Sequence, residues 1–312
     1  MRIKRKTFLG ACSLVASCIL VGAGMQSAMA EDEVNLESAD SIAAHVVAVA
    51  PDGAESAGAS QQGDVVTAVA NGTNMSIPLD GGAFDVLANV DGRDLAASIS
   101  LPAGVALEEG ELAADGAVVY QERDGSESAG AVVVQALENG NTRVQTVIAD
   151  PSATHSFEYA MDDFTPVLDG QGGAIFISDD AEGASVPVEA AWAVDANGNA
   201  VPTHYELSDR GLVQVVVPNT DTAYPIVADP TWGWKSAAWG LTLNRSEVAS
   251  IKDYTSAVGM CAALVKKAPV LVCGAWAAYL FTQATTANRA KPKGCLHVVV
   301  APAPGAVLHV KC

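Results

Sequence analysis

Four cysteines near the C-terminus are the residues whose type and spacing most clearly predict chemistry. Zinc sites need thiolates in closely spaced pairs, and neither C-x2-C nor C-x4-C occurs in this chain. An even number of cysteines gathered in one small region is instead typical of disulfides in an exported protein. The sequence therefore predicts two disulfide bonds among Cys261, Cys273, Cys295 and Cys312.

The local sequence favours one pairing of these cysteines, and the other pairings stay open. The last segment, CLHVVVAPAPGAVLHVKC, reads as two short strands around a Pro/Gly turn, with Cys295 and Cys312 at its ends. Cys261 and Cys273 would then join two helical segments across Pro269. Each bond is expected to stabilise a small module by about 2–4 kcal/mol.

His297 and His309 would bind a metal together only from the same face of that hairpin. If Cys295 pairs with Cys312, the register places His297 opposite Val310. Side chains alternate between the two faces of a strand, so this register puts the histidines on opposite faces. We expect no metal site at this pair.

The stretch DANGNAVPTHYE, from Asp195 to Glu206, has oxygen-bearing residues at several positions of an EF-hand calcium loop. The sixth position holds Ala200 instead of glycine, Pro202 fills the eighth, and no helix is predicted on either side. A turn between two strands explains the same residues. Calcium therefore remains the weaker alternative here.

Motifs that would indicate an enzyme are absent from the sequence. Neither G-x-S-x-G nor H-E-x-x-H occurs, and the five histidines lie in no recognisable triad setting. We expect a protein that is not an enzyme, with no catalytic residues, no cofactor and no bound metal. We also expect no nucleic-acid partner.

The charge of the chain reverses sign close to residue 230. The whole chain carries 17 Lys/Arg and 36 Asp/Glu, and residues 31–230 hold four arginines against 34 carboxylates. Residues 231–312 hold nine basic and two acidic residues. So sharp a reversal predicts a domain boundary, with two parts that meet different partners or each other. An acidic surface that keeps the protein in solution is the simpler explanation of the first part.

The N-terminus has the pattern of a secretory signal peptide over residues 1–30. Four basic residues precede an apolar run, and Ala28-Met29-Ala30 supplies the small residues of a cleavage site. We expect cleavage after Ala30 and release outside the cell. Retention as a membrane anchor and lipidation at Cys18 are less favoured alternatives.

Residues 31–230 divide into a flexible acidic lead-in, 31–63, and a β-rich domain, 64–230. Short Val/Ala/Ile runs in the second part are separated by Asn-Gly and Asp-Gly pairs, which close tight hairpins. This pattern predicts an acidic, antiparallel, β-sandwich-like domain. Hairpins are expected within residues 131–150, 188–207 and 203–218.

Residues 231–312 are predicted to form a small disulfide-stapled α+β module, a helical hairpin followed by a β-hairpin. Asn244 can cap a first helix, with Glu247 placed to complete a capping box. A second helix is expected over Met260–Ala268, stopped by Pro269, and a third over Val270–Thr286.

Lys266, Lys267 and Pro269 interrupt the apolar part of this module, leaving an uninterrupted stretch shorter than the ~20 residues of a spanning helix. Two short helices could instead lie at a membrane surface, with the lysines toward anionic lipid and Trp276 and Tyr279 at the boundary. The alternative is that the third helix is the buried core of the module.

The segments THYEL, LVQVVV and YPIVADPTW resemble the end of the β-rich region in a set of secreted actinobacterial proteins of uncharacterised function. In that set a variable, sometimes cysteine-containing C-terminal module follows an ADP-x-W junction. The resemblance covers about Ala190–Trp234. It implies export and a modular layout, and it assigns no catalytic or binding residue.

Taken together, these patterns predict a secreted, non-enzymatic protein. Its acidic domain would carry a cationic, disulfide-stapled module that engages anionic bacterial surfaces or membranes, as antimicrobial peptides do. The alternative is an extracellular, envelope-associated binding or structural protein in which the acidic and basic parts contact each other and neither acts on lipid.

Overall fold

The computed structural model describes residues 36–123, 130–180, 182–264, 270–301 and 305–312. These belong to one compact unit, Val34–Cys312. The fold is 43% strand and 18% helix, its sheets are antiparallel, and two disulfides and a β-hairpin lie at the C-terminal end. The predicted fold class, mainly β with a disulfide-stapled α+β end, is confirmed.

The first element is a helix, α1 (Ala39–Val49), in the region predicted to be a flexible lead-in. The Ser38 hydroxyl accepts a hydrogen bond from the Ser41 amide at 3.2 Å and caps the helix. Ile42 and Val46 are fully buried against the largest sheet. The structure departs from the expectation because residues four apart share a helix face, so a segment of low average hydrophobicity still buries a stripe.

A five-stranded antiparallel meander follows, with alternating buried and exposed side chains. Two of its turns have a left-handed backbone at both central residues, with φ of 44° and 76° at Asn71-Gly72 and 52° and 77° at Asp91-Gly92. These are the two-residue hairpins that such pairs predict. The strands are β1 (Ala59–Gln62), β2 (Val65–Ala70), β3 (Thr73–Pro78), β4 (Phe84–Val90) and β5 (Arg93–Ile99).

In the part of the chain that the structure describes, the largest sheet has 13 strands and runs through most of the residues after β5. A separate three-stranded sheet is formed by β10 (Ser156–Tyr159), β15 (Thr203–Leu207) and β16 (Leu212–Val216). The strands of the largest sheet are β6 (Glu111–Leu112), β7 (Val118–Gln121), β8 (Ala131–Ala136), β9 (Thr142–Ile148), β11 (Phe164–Leu168), β12 (Ala174–Ser178), β13 (Glu182–Val188), β14 (Ala193–Val194), β17 (Ile226–Ala228), β18 (Thr231–Trp232), β19 (Ala238–Leu243), β20 (Cys295–Ala301) and β21 (Val307–Val310).

Two of the three predicted hairpins are confirmed, namely β8–β9 and β15–β16. The hairpin expected over residues 188–207 is confirmed only at its turn, where the Asp195 amide donates to the Asn199 carbonyl at 2.9 Å. There β14 pairs with β17, and only a single bridge joins Val194 to Ala200 across the turn. The return strand β15 belongs instead to the three-stranded sheet, because pairing with β16 provides a longer ladder.

Outside residues 265–269 and 302–304, the α+β end contains three α-helices, α2 (Arg245–Ser250), α3 (Tyr254–Leu264) and α4 (Val270–Arg289). The predicted capping box is present, since Asn244 accepts from the Glu247 amide at 3.1 Å and its own amide donates to the Glu247 carboxylate at 2.8 Å. The helices break at residues 251–253 because the Asp253 carboxylate accepts from the Ser256 amide at 2.8 Å and starts α3. Among the described residues, no helix is both long and apolar enough to cross a bilayer.

Two separate hydrophobic cores meet within β19. Trp232 and Trp234, beyond the predicted boundary at residue 230, are fully buried in the core of the β-rich region. Trp239, near the start of β19, packs against that core, whereas Leu243, at the end of β19, lies in the core of the α+β module. Since β19 pairs with β13 on one side and β20 on the other, the backbone sheet is continuous between the two cores.

Candidate functional site

The two predicted disulfides are both formed. Cys261 of α3 bonds to Cys273 of α4 with Cα atoms 5.6 Å apart, and Cys295 of β20 bonds to Cys312 with Cα atoms 5.2 Å apart. The first bond therefore joins two helices of the α+β module, and the second joins β20 to the residue that follows β21 and Lys311. Disulfides of this kind are typical of an oxidising, extracellular environment.

The register of the C-terminal hairpin differs from the predicted one by two residues. Cys295 lies opposite Val310, so Cys312 follows the end of β21 and reaches back to the disulfide. A shift of two keeps side chains on their predicted faces. His297 is fully buried, whereas His309 is exposed and its Nε2 lies 2.8 Å from a Gln283 oxygen.

The buried imidazole of His297 packs against backbone. Its Nδ1 lies 3.1 Å from the Thr242 hydroxyl, and its Nε2 has no hydrogen-bond partner among the described residues. A Cβ on Gly240 would stand 2.3 Å from that Nε2, so only glycine fits opposite the ring. Burial lowers the pKa of His297 to about 4. These contacts place His297 in the core of the module.

Two of the four predicted membrane-contact residues can be placed. Trp276 is 8% exposed in the module core, where its indole Nε1 donates to the Gly305 carbonyl at 2.9 Å. In this conformation α4 therefore packs Trp276 into the module core, and contact of Trp276 with a membrane stays a prediction. Tyr279 is 43% exposed. Lys266 and Lys267 lie outside the described residues.

Five exposed cations lie in the segments where α2 begins, α4 ends and β21 ends, and we call them the basic end. The Arg245 Nε donates to the Lys293 carbonyl at 3.1 Å, and the Cys312 sulfur lies 3.6 Å from the same oxygen. Three parts of the chain thus meet at the Lys293 carbonyl, namely the start of α2, the segment after α4 and Cys312. The members of the basic end are Arg245, Arg289, Lys291, Lys293 and Lys311.

The basic end is almost unneutralised by the carboxylates of the same chain. Among the described residues, its one ion pair is Lys311 to Asp209, 4.0 Å long between fully exposed side chains. Such a pair contributes about 0–1 kcal/mol. The acidic and basic parts are therefore joined mainly by the shared sheet, since ion pairs between their described residues contribute little.

A cleft of about 730 Å3 opens beside the basic end, between β11–β12 and the module. Arg245 and Lys311 line it, together with the Cys295–Cys312 disulfide and the Asp179 side chain. The Asp179 carboxylate accepts a hydrogen bond from the Thr165 hydroxyl at 2.8 Å. The cleft offers two cations and one carboxylate to a small anionic group.

In the stretch Asp195–Glu206, which has the spacing of a calcium loop, the Asp195 side chain bonds to backbone amides of the same loop. One Asp195 oxygen accepts the amides of Asn197 and Asn199 at 3.0 and 2.8 Å, as in an Asx turn. Glu206, the last ligand position, pairs with His204 at 3.1 Å. Within the described chain, no group of three or more His, Cys, Asp or Glu side chains is arranged to hold a metal.

The ADP-x-W junction contains a buried carboxyl, that of Asp229, which the sequence patterns do not predict. Asp229 is fully buried, and its Oδ1 accepts from the Trp192 amide at 3.0 Å. Burial, the largest influence, raises its pKa to about 8. The nearby Arg143 side chain, also buried, bonds to the Thr231 hydroxyl at 2.8 Å and to the Asp52 carboxylate. The motif itself gave a signal, since a carboxylate directly after an apolar strand, Ile226–Ala228, and before Pro230 is unusual.

No family of known proteins, curated protein or solved structure matches the chain. The candidate site therefore stands on its geometry alone.

Proposed function

We propose that this is a secreted, non-enzymatic binding protein whose basic end engages phosphate-bearing bacterial surfaces. The signal-peptide pattern with cleavage after Ala30, and the resemblance to secreted actinobacterial proteins, support export. The acidic β-rich region acts as the carrier on which the basic module is displayed. The observation that carries the proposal is the gathering of five exposed cations with only one long ion pair between them and the rest of the described chain.

The proposed mode of binding is attraction at a surface. Each basic residue close to an anionic surface contributes about 1 kcal/mol, and salt screens that contribution. Trp276 is held in the module core by its neighbours and by the Gly305 carbonyl, so it does not supply an anchor in this conformation. Insertion of the kind used by antimicrobial peptides is not required.

The experiment measures binding of the intact oxidised protein, because β13 provides half of the pairing of β19. Vesicles with phosphatidylglycerol, neutral phosphatidylcholine vesicles and immobilised wall polymer rich in phosphate are compared at low and high salt. We expect binding to either or both anionic targets, and loss of binding at high salt. Equal retention on neutral vesicles would contradict the proposal.

A matched pair of variants tests whether the basic end is responsible. Lys291→Gln with Lys293→Gln should weaken binding roughly 30-fold, the equivalent of about 2 kcal/mol. The control, Lys235→Gln with Lys252→Gln, removes the same charge elsewhere and should change binding less than twofold. An equal loss in both doubles would mean that total charge, not the basic end, determines binding.

The second candidate, an envelope-associated scaffold without lipid activity, is favoured by the continuous sheet across β13, β19 and β20. It predicts that the intact protein neither binds anionic vesicles nor releases a trapped dye. Binding without dye release supports the first proposal, and absence of both supports the scaffold.

A further inference from the structure

A second site lies on the acidic region, on the side of the meander that faces away from its core. A groove of about 970 Å3 extends over the outer face of β2–β5. Its other wall is formed by residues 162–164 together with Gly183, Ala184 and Trp239. The basic end takes no part in this groove.

The floor of the groove has a row of three apolar residues and one asparagine between carboxylates. Strand register places Val69, Asn74, Leu87 and Ala96 side by side across four strands. Val69 is 67% exposed and Leu87 44% exposed. Exposed aliphatic side chains in a concave surface are typical of a binding site.

One margin of the groove is an open strand edge. In antiparallel sheets, alternate residues direct their N–H and C=O groups away from the paired strand. Ser98 of β5 does so, since its carbonyl accepts the Asp162 amide at 3.0 Å. By the same alternation Asp94 and Ala96 face away from β4, and within the described residues no strand pairs with them. The edge thus offers two donors and two acceptors to an added strand.

The groove is strongly acidic. No lysine or arginine is among its described lining residues, and none of its aspartates forms an ion pair within the described chain. At its margin the Arg93 guanidinium lies 5.1 Å from the centroid of the Trp239 ring, which shows that this wall accommodates a cation. The aspartates are Asp85, Asp94, Asp162, Asp163 and Asp180.

We propose that this groove binds a basic peptide segment of another protein, which adds in extended form to the open edge of β5. Backbone hydrogen bonds to Asp94 and Ala96 would fix the register, as in other cases of strand addition. Basic side chains at alternate positions would meet the aspartates of the outer face. A second copy of this chain is a poorer occupant, because β5 pairing with β5 would bring its own aspartates together.

Isothermal titration of the oxidised protein at low salt tests the proposal with three blocked eight-residue peptides. The first alternates Lys and Val, the second alternates Glu and Val, and the third is the first with every second backbone nitrogen methylated. We expect the Lys–Val peptide to bind at least tenfold more tightly than the methylated one, and the Glu–Val peptide not to bind. Equal affinity for the methylated peptide, or no binding of the Lys–Val peptide, would overturn strand addition.

Protein variants then locate the site. Asp85→Asn with Asp94→Asn should weaken Lys–Val binding at least fivefold, whereas Asp209→Asn with Asp221→Asn should change it less than twofold. Ala96→Pro removes an outward amide, a change that edge strands tolerate, and should abolish binding. Unchanged binding in the first double refutes the site. Self-association of the protein that Ala96→Pro abolishes would assign the edge to a second copy and also refute the proposal.

Discussion

The β-rich region and the α+β module share one sheet, yet each is stabilised by different means. The β-rich region has a large core, no cysteine and a fully buried carboxyl, Asp229. The module has a small core, two disulfides and a fully buried imidazole, His297. The acidic region thus buries an acid and the basic module buries a base. Net charge therefore does not reveal how either part responds to pH, because the response depends on the buried group.

Removing the disulfides should produce the largest difference in stability between the α+β module and the β-rich region. Cys261→Ala with Cys273→Ala, and Cys295→Ala with Cys312→Ala, should each lower the stability of the module by about 2–4 kcal/mol. Hydrogen exchange followed by mass spectrometry should show α3, α4 and β20–β21 opening while β2–β5 stay protected. Exchange that rises equally in β2–β5 would show that the shared sheet makes the regions one cooperative unit.

Replacing Asp229 tests the response of the β-rich region. Its pKa is raised to about 8 in the folded protein, so the folded state holds the proton more tightly than the unfolded chain. Stability from this group is complete below the unfolded pKa and is lost as pH rises through 8, by up to about 1.4 kcal/mol per pH unit. Asp229→Asn should remove that loss and be the more stable form at pH 9.

Urea denaturation at pH 5, 7 and 9, followed by circular dichroism, measures this difference. The exposed Asp221→Asn variant serves as control and should follow the wild-type profile. If Asp229→Asn and wild type kept parallel profiles across this range, the carboxyl would not be the titrating group.

Replacing His297 tests the opposite response in the module. Its pKa is lowered to about 4, so the folded state resists protonation. The stability from this group is complete above the unfolded value of about 6.5 and is lost as pH falls toward 4. His297→Gln retains a group that can bond Thr242 and should flatten this acid loss. Exchange in β20 at pH 4.5 and 7 measures it, and His309→Gln should behave as wild type.

Some elements of the two regions can be predicted from the sequence, and others depend on contacts that the sequence does not show. The meander was predictable because alternation and the Asp91-Gly92 pair fix both faces and turns locally. The composition of residues 31–63 does not predict helix α1. It averages over Ile42 and Val46, and their spacing of four, which places both on one face of a helix, matters more than their number. The two-residue register shift arose because Cys312 lies beyond β21, and a disulfide does not require its cysteines to be ladder partners.

The candidate sites were less predictable than the fold. The excess of basic residues in 231–312 was visible, but their meeting at the Lys293 carbonyl depends on chain folding. A helix that is apolar all round does not show which face is core, so the burial of Trp276 does not follow from the sequence. The open edge of β5 is a property of tertiary structure, since local sequence does not say where a sheet ends.

The smallest expected effect concerns the one ion pair that, among the described residues, joins the oppositely charged regions. Lys311 and Asp209 are 4.0 Å apart and both exposed, so Asp209→Asn should change the free energy of unfolding by less than about 0.5 kcal/mol. Thermal unfolding at low and high salt measures this, with Asp221→Asn as the matched loss of one exposed carboxylate. A loss of 2 kcal/mol or more at low salt, absent from the control, would mean that attraction between the regions contributes to the fold. The cations of the basic end would then be partly committed to the chain itself, and their availability to an anionic surface would be correspondingly smaller.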